Sequence, residues 1–187
     1  MPAKIDLEKY IDYNRDDYID EDEDKGKNKN QMFNEFVGHH IDMCMISADQ
    51  TTMYWCVDGI WYMITAEANC CSESWFNHCD NASALIDATL LEFENVIVGE
   101  VEEDDAQVLR KERLAELLGN GDEYDDHGND YIQGNMLKFK TNKGHCTIEF
   151  RNASNGYYSG YAEIIKFDPK TWKEKNELDI AKELEDF

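Results

Sequence analysis

The chain alternates apolar and polar residues most regularly over residues 141–165, TNKGHCTIEFRNASNGYYSGYAEII. Cys146, Ile148 and Phe150 fall on one face of an extended segment and His145, Thr147, Glu149 and Arg151 on the other, as a half-buried antiparallel sheet requires. The turn triplets Asn142-Lys143-Gly144 and Ser154-Asn155-Gly156 divide it, so strands over 136–141, 145–151 and 157–167 are expected to join as two successive hairpins. A second period-two region lies upstream. It predicts strands over 41–47, 51–57 and 60–65, the last two joined by a tight Asp58-Gly59 turn that wants positive φ. Met53, Trp55 and Val57 alternate there with Thr52, Tyr54 and Cys56, and large apolar groups on both faces predict cover on both sides.

Helical spacing is sparser. Met32, Phe33, Phe36 and Val37 predict a short helix closed by Gly38. Residues 66–81 break the alternation and read as a crossing loop with a helical turn, and residues 83–87 as a short helix. A strand over 89–101 follows, long enough to need a bulge near Asn95 or Gly99. Asp104 and Asp105 stand where carboxylates favour a helix start, and Val108, Leu109, Leu114, Ala115, Leu117 and Leu118 supply a stripe as far as Gly119. Asp168-Pro169 ends the sheet. Thr171 with Glu174 forms a capping box and Ile180, Leu184 and Phe187 recur at i, i+4, i+7, which predicts a C-terminal helix laid on the domain.

Together these elements make an α+β fold: an antiparallel β-sheet core of about six or seven strands built from hairpins, with short helices, an inserted acidic helix and a C-terminal helix. Its expected divisions are an acidic, partly mobile arm over 1–30, the sheet domain over 31–168 with the helical insertion at about 102–130, and the terminal helix over 169–187. The arm offers only Leu7, Tyr10 and Ile11 as a stripe, too little to offset an ordering entropy of roughly 1–2 kcal/mol per residue.

At 187 residues and 42% hydrophobic, the chain can build one sizeable core. Its 18 basic and 41 acidic residues leave a formal charge of -23, which opposes contact with nucleic-acid phosphates or an anionic bilayer. That field favours basic surfaces of other proteins, or imitation of a polyanion. No apolar run approaches the roughly 18–20 residues of a membrane span and no secretory signal opens the chain, so it is expected to stay in the cytoplasm. In that compartment Cys44, Cys56, Cys70, Cys71, Cys79 and Cys146 read as mostly reduced and packed, and the sequon Asn152-Ala153-Ser154 as a turn.

Three segments carry a family resemblance: the strand-turn-strand ending in DGIWYMIT, the step Cys70-Cys71-Ser72-Glu73, and TNKGHCTIEFRNASNGYYSG. The order resembles DUF7448, a family of small, uncharacterised, mainly bacteriophage proteins, over about residues 35–166. Members usually place a histidine and an acid shortly before the double cysteine, whereas Glu67-Ala68-Asn69 stands here. The resemblance implies a phage origin and an α+β fold, and brings no activity with it; a phage protein of this kind is expected in the host cytoplasm.

The densest chemistry is Cys70, Cys71, His78 and Cys79, residue types that ligate zinc. Adjacent ligands are awkward at a tetrahedral centre and no CxxC knuckle is present, so packed cysteines are the better reading. A Cys70 or Cys71 nucleophile with His78 or His145 as base lacks a basic neighbour to lower the thiol pKa. His39-His40 reads as the solvated start of a strand. The acid runs follow no calcium-loop pattern, and no P-loop, GxGxxG, GxSxG or HExxH occurs. No catalytic residue and no cofactor is expected. Asp104, Asp105, Glu123, Asp125, Asp126, Tyr157 and Tyr158 are the expected partner-binding residues. They fit a phage-encoded acidic accessory protein that binds a basic surface of a host protein, such as a component of antiviral defence, and inhibits or redirects it. One alternative is a DNA mimic directed at a nuclease or other DNA-binding enzyme, using residues 92–130 with their 14 acids against 3 bases. Another is a small metal-binding module or thiol enzyme.

Overall fold

The computed structural model describes residues 2–7, 30–69, 71–119, 131–170 and 181–187. Among them nine strands form one antiparallel sheet: β1 (His40–Ser47), β2 (Thr52–Val57), β3 (Ile60–Ala68), β4 (Glu73–Asp80), β5 (Ala88–Val101), β6 (Tyr131–Thr141), β7 (Gly144–Ser154), β8 (Gly160–Lys166) and β9 (Ala181–Glu183). Their order is β4-β7-β6-β5-β1-β2-β3-β8, with β9 beside β1. Among the described residues the helical elements are α1 (Asp105–Leu118) and 3-10 turns at Gln31–Phe36 and Ala82–Ala84. The fold is mostly β, with more strands and less helix than the sequence pattern predicts.

The Asp58-Gly59 hairpin forms as expected, both residues at positive φ (50° and 75°), and β2 is covered on both faces. The bulge expected near Gly99 also forms, between Ile97 and Gly99. Other expectations are corrected. Residues 66–81 are mostly strand: Phe76 and Cys79 of β4 face the core while Trp75 and Asn77 are buried on the opposite face, and a register shift at 76/78 breaks the alternation. The segment 83–87 shrinks to the 3-10 turn Ala82–Ala84.

Of the two expected hairpins only the first exists. Asn142-Lys143 joins β6 to β7, but β7 then has β6 on one edge and β4 on the other, so no edge is left for β8. The Ser154-Asn155-Gly156 turn instead starts a crossing that carries β8 to β3. Ser154 Oγ accepts from the Gly156 amide at 3.0 Å and Asn155 Oδ1 from the Tyr157 amide at 3.2 Å.

The predicted C-terminal helix is replaced, over 181–187, by extended chain. Thr171, Glu174 and Ile180 lie outside the described residues. Glu183, Lys182 and Ala181 pair with Met45, Ile46 and Ser47 of β1, and the Leu184 amide donates to Cys44 O at 2.9 Å. Phe187 exchanges both main-chain hydrogen bonds with Cys79 of β4, at 3.0 and 3.1 Å. An extended tail buries Leu184 and meets two strands that a helix, with its backbone bonded internally, would leave unpaired.

The sheet curls until its end strands meet, Gly160 of β8 lying hard against the Ser74 side chain of β4. Inside is one core. Phe33, from the first 3-10 turn, packs with ring centroids 5.2–5.4 Å from Trp55, Phe93 and Phe139, so a short segment joins β2, β5 and β6. Residues 2–7 reach the same core through Ile5 and Leu7.

Candidate functional site

After Leu90, β5 has no strand on one side among the described residues. β1 meets it only at His40–Thr89 and Ile41–Ala88, because the two strands run antiparallel and β1 begins at His40, so β5 beyond Leu90 lies past its start. Gly38 and His39 close the pairing through the main chain of Leu90, at 2.7 and 3.0 Å. From residue 92 to 101 β5 is bonded to β6 alone among the described residues. Ile97 and Val98 are exposed on this stretch, and Leu91 just before it, in company with Glu92, Glu94 and Glu100.

The helix that follows buries Leu114 of its predicted stripe and exposes most of the rest. α1 turns Gln107, Arg110 and Leu114 inward and leaves Val108, Leu109, Leu117 and Leu118 exposed. Specific polar contacts explain the choice. The Arg110 guanidinium lies 5.0 Å over the Trp75 ring, its Nη2 is 2.8 Å from Glu73 Oε1, and its Nε donates to Asp49 O at 3.0 Å. Arg151 of β7, also buried, reaches Asp104 Oδ2 at 2.6 Å, Glu149 Oε1 at 2.9 Å and Gln107 Oε1 at 3.1 Å. Asn77 Nδ2 donates to both carboxylates, and Trp75 Nε1 to Asn77 Oδ1 at 3.0 Å. This satisfied network fastens the start of α1 to β4 and β7.

Asp104 is therefore a clamp residue. Burial alone would raise its pKa, but the Gln107 amide at the helix start, Asn77 and the Arg151 guanidinium together hold the carboxyl below its ordinary value. Asp105, in the first turn of α1, is exposed. Glu123, Asp125 and Asp126 lie outside the described residues. Tyr157 is 87% exposed on the crossing after β7, and Tyr158 next to it is half-buried.

The proposed metal set does not assemble. His78 is exposed on the outer face of β4, opposite Glu149, whereas Cys79 points into the core with its Sγ 3.9 Å from Cys146 Sγ. Cys71 is an exposed turn residue at φ 62°, and Cys70 lies outside the described residues. No group of three or more His, Cys, Asp or Glu among the described residues is placed to hold a metal ion. Contact with Cys79 and burial push the Cys146 thiol far up, and burial with Asp42 nearby lifts Cys56 to about 11. His39-His40 is not a solvated pair: His39 is buried with Nδ1 2.6 Å from Asp58 Oδ2, and His40 Nε2 lies 3.2 Å from Asp87 Oδ1. The His39 bond holds the Asp58 carboxyl below its usual range.

The model of a domain of unknown function, DUF7448, matches residues 34–164. The chain belongs to the DUF7448 family. No curated protein and no solved structure matches it. The DUF7448 segment contains β1 through most of β8, the free stretch of β5 and the whole Arg151 network. Core residues Leu7, Met32, Phe33 and Leu184 lie outside it. No helix among the described residues is long and apolar enough to cross a membrane.

Sequence reasoning missed the β5 edge because its signal is topological. The exposed Ile97-Val98 pair is a place in the sequence where alternation fails, but only the start of β1 at His40, short of this stretch, gives it meaning.

Proposed function

We propose that this DUF7448 protein is a phage-encoded binding protein that holds a basic surface of a host protein in the host cytoplasm and inhibits or redirects that protein, antiviral defence being a natural target. The observation that carries this reading is the exposed stretch of β5. Apolar side chains, Leu91, Ile97 and Val98, are exposed there among Glu92, Glu94 and Glu100. Apolar anchors in an acidic rim suit a protein partner carrying lysine and arginine. The charge of -23 supplies long-range attraction to such a partner. A DNA mimic would need free carboxylates in regular rows, and Asp104 is already engaged by Arg151, so the protein-partner reading is preferred.

The test is retention of host proteins on the immobilised chain at about 0.15 M salt. A defined host protein should be retained, and the Glu92→Gln, Glu94→Gln, Glu100→Gln triple variant should lose it while keeping the native circular dichroism spectrum. Retention that the triple variant leaves unchanged would overturn the assignment to this surface. Retention abolished by duplex DNA would transfer the assignment to mimicry.

A further inference from the structure

We propose that the edge of β5 over residues 92–101, unpaired among the described residues, receives an extended, lysine- or arginine-bearing segment of another protein as an additional antiparallel or parallel strand. The inference rests on the binding reading above and names the recognition mode. An edge strand presents unpaired N–H and C=O groups, and a peptide that pairs with them gains main-chain hydrogen bonds regardless of its detailed sequence. Side chains then select. Ile97 and Val98 offer apolar contact, and the carboxylates at 92, 94 and 100 favour cations on the incoming strand.

The same carboxylates disfavour a second copy of this chain as the occupant. Two β5 edges meeting antiparallel about Val96 would set Glu92 against Glu100 twice, like charges directly opposed. Lys140 and Lys138 of β6 sit beside this row, Lys140 Nζ at 3.2 Å from Glu92 Oε2 and Lys138 opposite Glu94, whereas Glu100 stands opposite the neutral Gln133. The unneutralised end of the edge is therefore the end that carries Ile97 and Val98, where an apolar-plus-basic strand gains most.

The test uses the full chain and two synthetic probes: a capped decapeptide alternating lysine and valine, and its twin N-methylated at every residue, which keeps the charge but can donate no main-chain hydrogen bond from either edge. The unmodified peptide should bind at least tenfold more tightly than the twin and shift the backbone amide resonances of residues 92–101. Val98→Lys should weaken it at least tenfold without changing the rest of the spectrum. Equal binding of the two peptides would overturn strand addition while leaving an acidic recognition surface intact. Failure of both peptides would overturn strand addition and the basic-partner reading together. Amides of 92–101 already protected from exchange in the free protein, or protected only as concentration rises, would show the edge covered by this chain itself or by a second copy, and would also overturn the proposal.

Discussion

Arg151 on β7 and Asp104 at the start of α1 meet with Nη2 2.6 Å from Oδ2, and this contact joins the helix to the strand beside the end strand β4. Arg151 also balances Glu149, whose side chain is only 13% exposed. Replacing Arg151 by alanine leaves that carboxylate with Asn77 as its remaining partner, and breaking a buried pair from one side costs roughly 3–5 kcal/mol. Urea denaturation of Arg151→Ala should show a loss of that order, with α1 amides exchanging faster than those of β2. A loss within about 0.5 kcal/mol, the range of an ordinary surface change, would refute the clamp.

Acid should loosen two ends of the domain. Asp58, bonded to His39, and Asp104 both have folded pKa values below the ordinary 3.8. Depressed carboxylates contribute stability that is fully present above the unfolded value and is lost as pH falls through the folded one. Stability should therefore drop below about pH 4, and Asp58→Asn, which tolerates the positive φ of that turn, should flatten the drop. Urea midpoints measured across pH 2 to 6 check the sign; an unchanged slope in the variant would remove Asp58 from the account.

Reactivity of the thiols follows from where the strands put them. Cys71 should be alkylated within the native protein, while Cys44, Cys56, Cys79 and Cys146 should react only on unfolding, because all four are buried. Peptide mass spectrometry after a short iodoacetamide pulse distinguishes the two classes. Fast labelling of Cys79 would mean that the tail against β4 opens readily.

Gly160 is set by close approach and not by φ. A methyl group there would meet Ser74 Oγ, Asn152 Nδ2 and the Glu67 carbonyl at the meeting of β8 with β4. Gly160→Ala should cost about 1–3 kcal/mol by overpacking, seen as a lower urea midpoint, whereas Gly156→Ala, with open space around it, is penalised only for its φ of 91°.

Leu184 is buried between strands that the tail brings together. Leu184→Ala should cost about 2–4 kcal/mol and speed exchange of the Cys79 amide, which donates to Phe187 O. A shift of stability without faster exchange at Cys79 would separate the side chain from the strap.

Much of the sheet was legible because Met53, Trp55 and Val57, or Cys146, Ile148 and Phe150, alternate cleanly against one core. β4 was not, since burial of Trp75 and Asn77 on its outer face erases the polar half of the pattern. The tail misled for a different reason: Ile180, Leu184 and Phe187 share a helical spacing, yet open strand edges at Cys44 and Cys79 offer its backbone better partners. α1 was placed correctly at both ends, by Asp104 and Gly119, and its inward face was misassigned because Arg110 and Gln107 find cation–π, ionic and hydrogen-bonding partners that no periodicity encodes. The candidate site suffered likewise, since an unpaired edge is a property of its neighbours.

The strap of residues 181–187 also sets an order of events during synthesis. Translation delivers β1 and β4 long before Phe187, so the seam between them stays unsealed until residues 181–187 have left the ribosome. Over that interval Cys44 and Cys79 lack the main-chain bonds that residues 184 and 187 later provide, and the nascent domain is most open to oxidants, proteases and misplaced strands.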